Sequence, residues 1–85
     1  MNKLWSDIAW DEYLQWQAED KKAIKKINAL IKDIERNGVG TGLGKTERLR
    51  CIYGWSREID KKNRLVYRIE NGALWIASCK GHYED

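Results

Sequence analysis

The stretch Gly54–Tyr83, GWSREIDKKNRLVYRIENGALWIASCKGHY, decides the fold. Within it Leu65, Tyr67 and Ile69 alternate with Arg64, Val66, Arg68 and Glu70, the period-two pattern of a strand with unlike faces. Asn71-Gly72 follows, and both residues tolerate the positive φ that a two-residue type I′ turn demands. Ala73 to Cys79 then supplies a second apolar run. The spacing predicts a β-hairpin, joined upstream through a polar turn at Asp60–Asn63 to a strand over Trp55–Ile59.

Working towards the N-terminus, Leu49–Tyr53 reads as a further strand. Asn37–Gly44 (NGVGTGLG) holds four of the seven glycines. It lacks the Lys-Ser/Thr sequel of a P-loop. It reads instead as a flexible loop that lets Lys45, Glu47, Arg48 and Arg50 approach a ligand. Before it, Ile24, Ile27, Leu30, Ile31 and Ile34 recur at helical spacing in a segment that Asp20 begins. The other face carries Lys21, Lys22, Lys25, Lys26, Lys32 and Arg36. Such a face commonly serves solvation, the alternative being a landing strip for an RNA backbone. An earlier helix is capped by Ser6, with Asp7, Asp11 and Glu12 in its early turns. There Trp10, Tyr13, Leu14 and Gln17 share a face that reads as core, with Trp16 at its margin. Acidic and basic helices in succession favour an antiparallel hairpin. Lys3–Trp5 opens the chain as a short strand.

The 85 residues suit one domain spanning 1–85, with a modest core that large aromatic side chains enlarge. No run is apolar enough to span a membrane, and no signal-peptide core is present, so a cytoplasmic location is expected. Cys51 and Cys79 have no metal-ligand spacing, and one His does not complete a zinc site with them. Both are expected to be reduced, buried thiols, and neither a metal nor another cofactor is expected. The formal charge of +3 is unevenly placed. Residues 1–43 carry seven Lys/Arg and seven Asp/Glu, residues 44–85 nine and six. That placement favours an anionic partner.

Cutting RNA without a metal needs a base for the 2′-hydroxyl, cations for the transition state and an acid for the departing 5′-oxygen. Glu47 offers the first. Arg64, with Lys45, Arg50 or Arg57, offers the second, and His82 the third. Tyr83 can stack on a base or bond a phosphate. On chemistry alone the set is suggestive, since a Glu in a basic loop commonly forms surface ion pairs.

The order of motifs is more specific. Trp5–Gln17, Lys25–Asp33, Gly44–Leu49 (GKTERL), Trp55–Arg57 (WSR), Arg64–Tyr67 (RLVY) and Cys79–Tyr83 (CKGHY) resemble the YoeB/Txe toxins of the RelE/ParE-like superfamily. The resemblance implies an α+β fold of β-α-α-β-β-β order, a two-helix hairpin on a small, mostly antiparallel sheet. It implies a ribosome-dependent mRNA endoribonuclease of a type II toxin–antitoxin system, with Glu47, Arg64, His82 and Tyr83 as the active site. Lys45, Arg50 and Arg57 are the expected RNA contacts. The implied partners are a YefM/Axe-like (Phd-type) antitoxin, the ribosome with its mRNA, and a second copy in a homodimer. Two residues depart from the family pattern: Glu58 follows Trp-Ser-Arg where a second Arg is usual, and Asn63 precedes Arg64 where a His is common. A ParE-like gyrase inhibitor would share the fold without needing the four-residue set, and a small basic RNA-binding module would lack catalysis.

One register problem remains. A strict hairpin about Asn71-Gly72 pairs Glu70 with Ala73 and Arg64 with Cys79, which puts His82 on the face of Leu65 and Tyr67. For Arg64 and His82 to share a site, irregular backbone is expected between Lys80 and His82.

Overall fold

The computed structural model describes residues 1–82. Its elements are β1 (Asn2–Trp5), α1 (Asp7–Glu19), α2 (Lys21–Asn37), β2 (Glu47–Arg48), β3 (Trp55–Glu58), β4 (Arg64–Glu70) and β5 (Ala73–Ser78). The sheet order is β1-β5-β4-β3-β2, parallel between β1 and β5 and antiparallel elsewhere. This is the α+β arrangement expected, with one two-residue strand added. None of the helices among the described residues is long and apolar enough to cross a membrane.

Local chemistry places the helices. The Ser6 hydroxyl accepts from the Ala9 N–H at 2.9 Å and donates to the Ala77 carbonyl at 2.7 Å, so one side chain starts α1 and ties it to β5. Asp20 ends α1 through its own N–H and caps α2 through its carboxylate, which accepts from Lys22 and Ala23. Ile27, Leu30, Ile31 and Ile34 of α2 are buried in one cluster with Leu65, Tyr67, Leu74 and Ile76 of the sheet. At about 1.5–3 kcal/mol for each large apolar side chain removed from water, this cluster dominates the stability. The lysines of α2 lie on its outer side, mostly exposed.

The face of α1 differs from expectation. Trp10 and Leu14 are exposed, whereas Ala9 and Trp16 are buried. Size alone suggested the wrong stripe. The helix approaches the end of β5 through small Ala9, and the Trp16 indole N–H donates to the Cys79 carbonyl at 2.7 Å. Trp10 instead joins Trp5 and Tyr13 in a half-exposed group of aromatic rings.

The segment expected as a strand at Leu49–Tyr53 is a loop. Pairing with β3 stops at Arg48, and the Leu49 N–H turns back to the Gly54 carbonyl at 3.0 Å. Cys51 lies exposed on that loop rather than buried, and Cys79 is fully buried as expected. Burial, helped by the charge of nearby Glu12, pushes the Cys79 thiol up to about 12.

The hairpin turn is as read: Asn71 and Gly72 have φ of 52° and 73°, and Glu70 pairs with Ala73. The register then slips. Tyr67 pairs with Ile76 but Val66 with Ser78, leaving Ala77 as the extra residue of a bulge. The irregularity expected at the chain end is also present, since β5 stops at Ser78 and Gly81 has φ 91°.

Candidate active site

The β3–β4 pairing sorts two arginines onto opposite faces. Ser56 opposes Val66 and Glu58 opposes Arg64, so these four share the face away from the helices. Arg57, Leu65 and Tyr67 face the helices.

Arg64 begins β4, and its side chain is only 10% exposed. Its Nε donates to Ser56 Oγ at 2.9 Å, and Nη2 to the Lys45 carbonyl at 2.8 Å and the Ser56 carbonyl at 3.3 Å. Nη1 is held by no hydrogen bond among the described residues. Two carboxylates face the guanidinium: Glu47 Oε1 lies 4.0 Å from Nη2 and Glu58 Oε2 4.0 Å from Nη1. The same Glu58 oxygen is 3.6 Å from Lys45 Nζ. Glu47, on the short β2, is 69% exposed at its side chain. A fixed guanidinium with a free edge beside an accessible carboxylate can bind a phosphate and accept a proton next to it.

The chain end is brought to the same place. The Arg64 N–H donates to the Gly81 carbonyl at 3.0 Å, and the Gly81 N–H donates to Asn63 Oδ1 at 2.7 Å. On the other side, the Cys79 N–H donates to Glu12 Oε1, and Lys80 bonds Gln15 and Glu19 of α1. His82 follows this clamp directly and is exposed. Tyr83 lies outside the described residues. Lys45 and Arg50 are exposed, Arg50 on the loop between β2 and β3.

Arg57 is corrected. Expected as an RNA contact, it is fully buried with all five of its N–H donors taken by the protein. Nε donates to Tyr67 Oη at 2.8 Å, Nη1 to Asp33 Oδ2 and to the Leu43 carbonyl, and Nη2 to the carbonyls of Gly38 and Thr41. The glycine-rich loop expected to be flexible is thus tied at three carbonyls. The Arg57 hydrogen bond, with a second from the Leu43 N–H, holds the Asp33 carboxyl below the usual range. Burial raises the Tyr67 hydroxyl above its ordinary value, against the pull of Arg57.

Three contributors were not read from the sequence: Ser56, the Lys45 carbonyl and the Asn63 side chain. Only Ser56, inside WSR at a strand centre, carried a signal, since a buried serine needs a polar partner.

Comparison with known proteins places the chain in a family. The family model of YoeB-like toxins of bacterial type II toxin–antitoxin systems matches residues 5–83. Toxin YoeB of Escherichia coli (strain K12) is 46% identical over 85 residues, spanning 98% of this chain and 100% of that protein. The YoeB dimer from Staphylococcus aureus superposes with a TM-score of 0.92 at 45% identity, covering 98% of each chain. The toxin in the heterotetrameric YoeB–YefM complex from Staphylococcus aureus gives 0.91 at 44% identity, again over 98% of each. The chain belongs to the YoeB-like toxins of type II toxin–antitoxin systems.

Proposed function

We propose that the protein is a ribosome-dependent mRNA endoribonuclease that inhibits translation by cutting mRNA in the A site. The observation that carries the reading is the pairing of exposed Glu47 with the half-satisfied guanidinium of Arg64, beside the clamped backbone that leads into His82. Glu47 takes the proton of the 2′-hydroxyl, and the 2′-oxygen attacks phosphorus. Arg64, through its Nη1 edge, meets the charge growing on the phosphoryl oxygens. His82 protonates the departing 5′-oxygen, and Tyr83 positions the nucleotide. Lys45 and Arg50 contact the flanking phosphates. The products are a 2′,3′-cyclic phosphate and a 5′-hydroxyl end. A YefM-like antitoxin holds the toxin inactive, and the toxin pairs with a second copy; a YoeB–YefM complex and a YoeB dimer from Staphylococcus aureus support both associations.

The test uses ribosomes programmed with a defined A-site codon, followed by primer extension to map new mRNA 5′ ends. Cleavage by the wild type, lost in Glu47→Ala and His82→Gln, is expected. No cleavage, together with inhibition of gyrase supercoiling, would replace the reading by a ParE-like one.

A further inference from the structure

Four charged side chains meet on the open face: Lys45 and Arg64 against Glu47 and Glu58. Their formal charges cancel. The general base proposed above accounts for Glu47, but no step uses Glu58. Its position is nonetheless fixed. The Glu58 N–H donates to the Gly44 carbonyl, which locks β3 to the loop bearing Lys45. Its side chain is 27% exposed, far less than that of Glu47. A single oxygen, Oε2, stands between Lys45 Nζ at 3.6 Å and Arg64 Nη1 at 4.0 Å. That Nη1 edge is the part of Arg64 without a hydrogen bond among the described residues. A phosphate approaching the cations therefore meets a carboxylate already between them.

We propose that Glu58 is an internal counter-anion, which occupies the Lys45–Arg64 cation pair until a phosphodiester of single-stranded RNA displaces it, and so sets the affinity of the site for RNA. The inference rests on the nuclease reading of this face. Binding then exchanges one anion for another on the same two cations, so the gain from a single phosphate is small. Contacts from elsewhere on a larger assembly must supply the remainder. Naked RNA is accordingly a weak ligand.

The test measures binding without cleavage. A single-stranded RNA oligomer, 2′-O-methylated throughout so that no attacking hydroxyl remains, is titrated by fluorescence anisotropy across a range of salt. Glu58→Gln keeps the side chain's size and removes its charge. It is expected to tighten binding about fivefold, roughly the worth of freeing one partly exposed ion pair. The slope of log affinity against log salt should steepen by about 0.7, one added phosphate contact on a single strand. Glu35→Gln removes the same charge at the opposite edge of the sheet, where Glu35 pairs with Lys3. It should change affinity less than twofold, a bound set by screening over that distance. Thermal melts confirm that both variants fold.

Equal effects of Glu58→Gln and Glu35→Gln would overturn the proposal, because only net charge would then matter. Arg64→Gln separates this failure from that of the underlying reading. If Arg64→Gln weakens binding while Glu58→Gln leaves it unchanged, Glu58 alone is misassigned. If Arg64→Gln binds as the wild type does, RNA does not visit this face and both readings fall. Loss of ribosomal cleavage in Glu58→Gln, with binding tightened, would also overturn it by making Glu58 the base.

Discussion

Arg57 and Arg64 lie on neighbouring strands of one sheet, both largely buried, and they do opposite things. Arg57 faces the helices, and every donor it has is taken by Tyr67, Asp33 and three loop carbonyls. Arg64 faces away from the helices, fixed through Nε and Nη2, with Nη1 turned to the Glu58 carboxylate at 4.0 Å. A guanidinium with no spare donor holds structure. One that is anchored along one edge and open along the other is equipped to receive a ligand. The two are coupled in space, because the loop tied down by Arg57 continues into Lys45, whose carbonyl orients Arg64.

The strongest way to break this contrast is to exchange the damage. Arg57→Ala strands the Asp33 carboxylate and the loop carbonyls, and should cost about 3 kcal/mol or more of stability. Urea titration followed by Trp fluorescence measures it. Arg64→Gln should cost about 1 kcal/mol of stability, yet reduce ribosomal cleavage by at least about 100-fold, as loss of one preorganised cation does elsewhere. If Arg57→Ala left stability intact, or Arg64→Gln left cleavage intact, the division of labour would be wrong.

How much of this was legible in the sequence follows from where each signal resides. The β4–β5 hairpin was readable because alternation and the Asn71-Gly72 turn are local properties. The α2 core face was readable because five aliphatic residues repeat at helical spacing. The role of Arg57 was not. Arg57 and Arg64 look alike in a chain rich in basic residues, and only the β3–β4 register assigns them to faces. The same holds for Ala77. A one-residue bulge changes the parity of all that follows, and no residue type in Ile76-Ala77-Ser78 announces it. On α1 the burial of Ala9 over Trp10 reflects how closely the helix meets β5, a distance that hydrophobic size does not encode. Glu47 and Arg64 were singled out by their chemistry and by motif order, whereas the anchoring by the Lys45 carbonyl and Asn63 is purely tertiary.

A smaller perturbation sharpens the comparison without dismantling it. Tyr67→Phe removes one hydroxyl that accepts from Arg57 and donates to the Val39 carbonyl at 2.7 Å. It should cost about 1–2 kcal/mol. Cleavage measured well below the melting temperature should stay within about threefold, since the three Arg57 bonds to loop carbonyls still hold the loop. A large loss of cleavage with little loss of stability would mean that Tyr67 acts on the site itself.

The mildest effect concerns pH. The folded Asp33 carboxyl titrates below its ordinary value of 3.8, chiefly because of its hydrogen bond from Arg57. The unfolded chain therefore takes up this proton first as pH falls. The stability linked to Asp33 is complete above about pH 5 and declines on acidification through the unfolded and then the folded value. Asp33→Asn should flatten that acid limb in a series of thermal melts while lowering stability at neutral pH. The alkaline limb supplies a control through Cys79, whose raised value comes from burial and nearby Glu12 rather than from Asp33. Cys79 and Tyr67 have raised values, so the unfolded chain loses those protons first and stability declines above about pH 9. Asp33→Asn should leave the Cys79 part of that decline in place and slightly reduce the Tyr67 part, which the Asp33 charge helps to raise. An unchanged acid limb would mean that Asp33 is not the group behind the acid loss of stability.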